Sequence, residues 1–146
     1  MREILFRGKR ADNGEWVEGS LIVLDADSGY YFITEPYKSA STLPVKDLIY
    51  NHTHLVDHKT VCQFTGLTDK NGVKIFEGDI CRNIKNEEIV LVKWHGTMAG
   101  YVWIKRREDN KYLFNFGELF RVSSKDEVIG NIFDNPELME GAVAND

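Results

Sequence analysis

Two stretches of the chain decide its fold: residues 88–94, EIVLVKW, and residues 100–105, GYVWIK. The first is apolar on both faces over its middle, a pattern typical of a central β-strand that is covered on two sides. The second alternates, with Val102 and Ile104 on one face and two aromatic residues on the other. This period of two predicts a strand whose Val102 and Ile104 side chains point into the core.

Short β-rich segments separated by turn signals continue in both directions from these two stretches. The turn signal at residues 11–14 predicts that residues 3–8 and 16–24 form a hairpin. Asn71-Gly72 predicts a tight type I′ turn, because both residues tolerate positive φ. Further strands are predicted at residues 30–34, 48–50, 61–64, 79–84 and 128–133. Asn135 as N-cap and Pro136 as first helical residue predict one short helical turn over residues 136–140.

Short strands at close spacing, without long helices between them, predict a mainly β fold: a small antiparallel barrel or a sandwich. We place a boundary near residue 58, which gives an N-terminal β lobe over residues 1–58 and a C-terminal barrel lobe over residues 59–146. One continuous domain is the alternative. Both halves contain a strand–turn–strand unit led by an aromatic residue.

Composition excludes several classes of protein. The chain has 146 residues, 42% of them hydrophobic and 28% charged, with a net charge of −5. These values argue against disorder, and the sign of the charge is opposite to that of a general nucleic-acid binder. No apolar run reaches the roughly 18 residues that a membrane span needs, and residues 1–7 lack the apolar stretch of a signal peptide. We therefore expect a soluble, cytoplasmic protein.

A group of histidines near one cysteine has the residue types of a metal site or a catalytic dyad. The spacing His52-x-His54-x3-His58-x3-Cys62 offers zinc-type ligands, but strand and helix geometry would each align a different subset of them. Cys62 with His58 or His95 could form a nucleophilic dyad only if the fold brought them together. The alternative is a polar connecting loop and a buried thiol. We find no catalytic motif and expect a non-enzymatic protein without metal or cofactor.

A basic–aromatic segment in the second half is the candidate interaction surface. Residues 82–107 carry six cations and two acids, a net charge of +4 in an acidic chain. Outward aromatic side chains need a reason such as a subunit interface, a partner or a neighbouring lobe, and small barrels also use such surfaces on single-stranded nucleic acid. The candidate residues are Lys93, Trp94, Tyr101, Trp103, Lys105, Arg106 and Arg107.

Four blocks of the sequence, in this order, resemble the YopX family of phage and prophage proteins. They are REILFRGK at residues 2–9, TVCQFTGLTDKNG at 60–72, KIFEGDI at 74–80 and VIGNIFDNPEL at 128–138. The resemblance implies a mostly β protein built on small SH3-like antiparallel barrels in a phage-infected or lysogenic bacterium. It implies no established activity, so no catalytic or ligand residue is carried over from it.

Two functions from different classes follow. The first is a non-enzymatic module that forms a homo-oligomer and binds a host or phage protein. The second is an accessory factor that binds single-stranded nucleic acid through Lys93, Lys105, Arg106 and Arg107, with Trp94 and Trp103 stacking on bases. A hydrophobic interface that contains Tyr101 or Trp103 would favour the first, and binding that weakens steeply with salt would favour the second.

Overall fold

A computed structural model of the chain describes residues 2–36, 44–84, 87–97, 99–106, 112–114 and 126–140. The elements in these ranges confirm a mainly β fold. They are β1 (Phe6–Lys9), β2 (Trp16–Asp25), β3 (Tyr30–Thr34), α1 (Val45–His52), β4 (Thr53–Val56), a 3-10 turn (His58–Thr60), β5 (Cys62–Thr68), β6 (Lys74–Phe76), β7 (Asp79–Asn83), β8 (Ile89–His95), β9 (Gly100–Arg106), β10 (Tyr112–Phe114), β11 (Asp126–Asn131) and α2 (Glu137–Glu140).

The strands form two antiparallel sheets, with the orders β4-β3-β2-β1-β5-β6 and β10-β9-β8-β7-β11. The chain divides into two compact units, Met1–Phe64 and Thr65–Asp146, so the boundary falls inside β5. The described residues show no closed barrel. In the N-terminal unit, the residues directly after β1 reach β4 through an isolated bridge between Arg10 and Val56 and through bonds such as the Ala11 N–H to the Leu55 carbonyl oxygen at 2.9 Å.

The N-terminal unit is organised by β2, which pairs first with β1 and then with β3. Its residues Trp16 to Gly19 lie opposite β1, which confirms the predicted hairpin, and its residues from Ser20 onward lie opposite β3. One face of this sheet forms a core of Val17, Ile33 and Val56, which are 6%, 0% and 2% exposed. The opposite face is not part of that core.

The C-terminal unit is built around β8, which lies between β7 and β9 as predicted for a central strand. Both faces of this sheet are apolar. Ile80, Leu91 and Ile104 pack against Met139 of α2, and a second cluster holds Ile75, Cys81 and Val92. Helix α2 lies where the short helical turn was predicted, one residue later at its start. The last strand, β11, begins and ends two residues before the predicted range.

Two local predictions were wrong. Residues 48–50 were expected to form a strand, but they belong to α1, which begins after Pro44 and has Asp47 in its first turn. A proline at the helix start and an early acidic residue both favour a helix, and a three-residue apolar run is too short to outweigh them. In the 69–73 turn, Gly72 has a φ of 79°, whereas Asn71 does not have positive φ, so the turn is not type I′.

Candidate interaction surface

The surface predicted from the basic–aromatic segment begins where β8 leaves the core. Leu91 and Val92 are buried, whereas the next two residues, Lys93 and Trp94, are exposed. Trp94 is 49% exposed, although it stands on β8 and is the cross-strand partner of Tyr101 on β9. Because the strand already restricts this exposed indole, its side chain would lose little conformational entropy on binding, and this property suits a contact residue.

Tyr101 holds Trp94 in place. The two residues are cross-strand partners of β8 and β9, and their rings meet edge to face with centroids 5.1 Å apart and an interplanar angle of 74°. Tyr101 also packs against the Ile75, Cys81 and Val92 cluster, so it is half-buried. The expectation of an outward Tyr101 was therefore wrong. Apolar clusters pack on both faces of this sheet. The alternating pattern of β9 therefore does not distinguish a buried face from a solvent-exposed face.

The other members of the predicted surface are described only in part. The backbones of Trp103, Lys105 and Arg106 lie in β9, and Trp103 is the cross-strand partner of Val92. Their side chains, and Arg107 altogether, lie outside the described residues. Val102 and Ile104 are buried, at 3% and 4% exposed, as the alternation predicted.

The histidines considered as metal ligands engage separate partners in the N-terminal unit. His54 Nε2 lies 2.9 Å from Glu35 Oε2, and the His58 ring stacks on Tyr31 with centroids 5.7 Å apart. The Cys62 thiol donates a hydrogen bond to the Thr60 carbonyl oxygen at 3.2 Å. Within the described ranges, the structure holds no group of three or more His, Cys, Asp or Glu side chains able to bind a metal ion. His52 ends α1.

A family model described as YopX protein matches residues 5–140, which is most of the chain. The chain belongs to the YopX family. Among solved structures, this family member is similar to the crystal structure of protein EF1440 from Enterococcus faecalis, with 24% sequence identity, a TM-score of 0.49 and coverage of 95% of this chain and 99% of that chain. The curated proteins contain no match. None of the helices in the described part of this YopX family member has the length and apolar character that crossing a membrane requires.

Sequence reasoning missed a second basic–aromatic group in this YopX family member. The Arg7 guanidinium carbon lies 4.8 Å from the Trp16 ring centroid, and the Lys9 ammonium nitrogen lies 5.4 Å from it. Lys9 and Trp16 are cross-strand partners of β1 and β2. The sequence signal for this group is the register of the β1–β2 hairpin, which places the Lys9 ammonium group opposite the Trp16 ring. Since all three residues are half-buried, this group stabilises the hairpin.

Three buried carboxylates in the C-terminal unit have structural partners. Asp79 is 1% exposed, and its Oδ2 accepts a hydrogen bond from the Phe76 N–H at 2.8 Å. Asp126 is 5% exposed, and its Oδ1 accepts from Asn83 Nδ2 at 3.0 Å. Asp69 is 6% exposed, and its carboxylate accepts three backbone N–H bonds, from Asn71, Val73 and Val128. These acids order backbone and turns, as buried carboxylates with N–H donors generally do.

The buried cysteines are free thiols, and we expect Cys81 to be chemically inert in the folded protein. Burial raises the pKa of the Cys81 thiol far above its ordinary value, and the negative charges of Asp79, Asp126 and Asp69 raise it further. Because the thiolate is the reactive form, a disulfide reagent at pH 8 should label neither Cys81 nor buried Cys62 until guanidinium chloride unfolds the chain. The exposed variant Ser28→Cys is the positive control. Rapid labelling of a native thiol would contradict this prediction.

Proposed function

We propose that this YopX family member is a non-enzymatic, phage- or prophage-encoded module that acts in the bacterial cytoplasm by self-association and by binding a host or phage protein. The observation that carries the proposal is the half-exposed Trp94 side chain, fixed on β8 and braced by the Tyr101 ring. Tryptophan and tyrosine are the residue types that most often dominate the energy of protein interfaces. The exposed position of Trp94 therefore supports a contact role.

The placement of the reactive groups also supports a non-enzymatic role. The Cys81 thiol is fully buried with a raised pKa, and Cys62 is bonded to a backbone carbonyl. The buried carboxylates Asp79 and Asp126 are bonded to Phe76 and Asn83. A general acid, base or nucleophile must instead reach a substrate. The thiols and carboxylates named here are instead buried and serve the structure of the folded chain.

The variant Trp94→Ala tests the proposed self-association. Removing an indole that is buried between copies should weaken association by at least about tenfold. Sedimentation equilibrium over a series of protein concentrations measures this change. Tyr50→Ala is the matched control, because Tyr50 is an aromatic residue that is 84% exposed on α1, and it should leave association unchanged. A wild-type chain that stays monomeric throughout, or a Trp94→Ala chain that associates like wild type, would overturn the proposal.

Binding of single-stranded nucleic acid is the alternative function, and the exposed Lys93 beside Trp94 is the observation that favours it. A cation next to a stackable ring can engage a phosphate and a base together. Light scattering with and without a short single-stranded oligonucleotide separates the two functions. A monomer that gains mass with the oligonucleotide and loses it with added salt would replace the first proposal. A stable oligomer that ignores the oligonucleotide would support it.

A further inference from the structure

The chain contains two Asn-Gly pairs, and both lie in exposed turns. Asn13-Gly14 lies between β1 and β2, and Asn71-Gly72 lies between β5 and β6. Both glycines have positive φ, 73° and 79°, and a β-carbon on either would meet no atom of a non-neighbouring residue within 4 Å. Asparagine is a chemically labile residue, and a following glycine increases its lability because no β-carbon shields the glycine nitrogen. Each pair therefore has the groups that a spontaneous modification of the chain requires.

The modification is a ring closure between the asparagine side chain and the next backbone nitrogen. The glycine nitrogen attacks the side-chain carbonyl carbon, Cγ, so that an N–Cγ bond forms and the Cγ–Nδ2 bond breaks. The proton of the glycine nitrogen leaves with the amide group as ammonia. Water then opens the cyclic imide at either carbonyl group, which gives aspartate or isoaspartate. In isoaspartate the main chain runs through the side-chain carbon, and no oxidant or reductant takes part in either route.

The two asparagine side chains are held differently. Both polar atoms of the Asn13 amide are bonded to Glu15: Oδ1 accepts its N–H at 2.9 Å, and Nδ2 donates to its Oε2 at 3.3 Å. Asn71 takes part in its turn through its backbone N–H, which Asp69 Oδ1 accepts at 2.8 Å. Among the described residues, no group forms a hydrogen bond with the Asn71 side chain. The Asn71 amide can therefore turn toward Gly72, whereas the Asn13 amide must first leave Glu15.

The attacking nitrogens do not account for a difference between the two pairs, because both are engaged in the same way. The Gly14 N–H donates to the Arg10 carbonyl oxygen at 2.9 Å, and the Gly72 N–H donates to the Asp69 carbonyl oxygen at 3.0 Å. Each of these backbone bonds slows ring closure to a similar degree. The side-chain contacts thus decide which pair reacts in the folded protein.

We propose that Asn71 is a site of spontaneous deamidation in the folded protein and that its conversion loosens the attachment of β11. Asp69 Oδ1 accepts the N–H groups of both Asn71 and Val73, while Asp69 Oδ2 accepts the Val128 N–H of β11. Isoaspartate adds a backbone atom between the two N–H groups that share Oδ1, so both bonds cannot keep their geometry. The new carboxylate also lies close to that of Asp69, and like charges repel. Conversion at Asn71 is independent of the proposed self-association.

Ageing of the folded protein at mildly alkaline pH tests the site. Peptide mass spectrometry measures conversion at positions 13 and 71, because replacing an amide by a carboxyl group changes the mass. We expect position 71 to convert at least about fivefold faster than position 13, the factor that one net hydrogen bond supplies. In guanidinium chloride both turns are lost, and the two positions should convert at similar rates. Equal rates in the folded chain, faster conversion at position 13, or no conversion at either position would overturn the proposal.

The variant Asn71→Gln separates this modification from other effects of ageing, because glutamine would have to close a larger ring. Aged wild type should unfold at a lower denaturant concentration than fresh wild type, whereas aged Asn71→Gln should unfold like the fresh variant. Asn71→Asp is the matched control for charge, since it adds the carboxylate without lengthening the backbone. It should lose less stability than the isoaspartyl product that chromatography isolates. Equal loss on ageing in wild type and in Asn71→Gln would overturn the proposed effect on β11.

Discussion

Replacement of Gly19 by alanine is expected to disrupt the N-terminal sheet, with a loss in the free energy of unfolding of about 4 kcal/mol or more. Gly19 lies in β2 at the point where the strand changes partners: it pairs with Phe6 of β1, and the next residue pairs with Thr34 of β3. A β-carbon at this position would overlap the Thr34 carbonyl oxygen and lie 2.7 Å from its carbonyl carbon. Both obstructing atoms belong to the backbone, so no side-chain rotation can relieve the overlap.

The matched control is Gly96→Ala, because a β-carbon at Gly96 would meet no atom within 4 Å. We expect this variant to change stability by less than about 0.5 kcal/mol. Denaturant unfolding followed by circular dichroism measures both variants against wild type. Since natural domains are stable by only about 5 to 15 kcal/mol, Gly19→Ala should leave a substantial unfolded fraction at moderate denaturant. Equal stability of the two variants would show that β2 and β3 separate here at little cost.

Residue patterns predicted the sheets better than the surface. The period of two and the turn signals were sufficient for the β1–β2 hairpin, for β3 and for the central position of β8, because each has a clear apolar face or a doubly apolar run. They failed at residues 48–50, where Pro44 and Asp47 favour a helix. They also failed at Tyr101, because a sheet covered on both faces buries both halves of an alternating pattern.

The candidate surface was predictable only in part, because an alternating pattern does not show which face of a strand is exposed when both faces of the sheet are apolar. Lys93 and Trp94 belong to the candidate surface predicted from the sequence, and both residues are exposed where the apolar run of β8 ends. The exposed apolar residues Ile22 and Leu55, on the face of the N-terminal sheet opposite its core, were not predicted. The segment LIVL at residues 21–24 is apolar at every position, so no periodicity shows which residues face solvent. The cross-strand register that aligns Ile22 with Phe32 and Leu55 depends on long-range pairing, which local sequence does not specify.

The turn that carries Asp69 is stabilised by one buried carboxylate. Asp69 is 6% exposed, and its Oδ1 accepts the N–H groups of Asn71 at 2.8 Å and Val73 at 2.9 Å. Its Oδ2 accepts the Val128 N–H at 3.0 Å, on the edge of β11. The Lys70 N–H also bonds the Asp126 carbonyl oxygen at 3.0 Å. The turn thus satisfies backbone groups of an edge strand that would otherwise lack strand partners.

Replacement of Asp69 by alanine is expected to lower the free energy of unfolding by about 3 to 5 kcal/mol, because three N–H donors lose their acceptor. Asp69→Asn should cost less, about 2 kcal/mol, since its amide nitrogen cannot accept the Val128 N–H. The exposed Asp27→Asn is the matched control for loss of one negative charge and should stay within about 0.5 kcal/mol of wild type. Denaturant unfolding at pH 7 measures all three. An Asp69→Ala chain as stable as Asp27→Asn would contradict the role assigned to this carboxylate.

The same carboxylate gives the stability of the protein a defined pH dependence. Burial alone would raise the pKa of Asp69, but the backbone N–H bonds from Val128, Val73 and Asn71 outweigh it, so the pKa lies below its ordinary value of 3.8. A lowered pKa means that the folded state binds the proton more weakly than the unfolded state. The contribution of Asp69 is therefore complete above pH 3.8 and is lost as the pH falls through the folded-state value. The stability difference between wild type and Asp69→Asn should be constant near neutral pH and shrink below that point. Taking the difference cancels the titration of the other acids, and a gap that widens toward low pH would show that the sign of the shift is wrong.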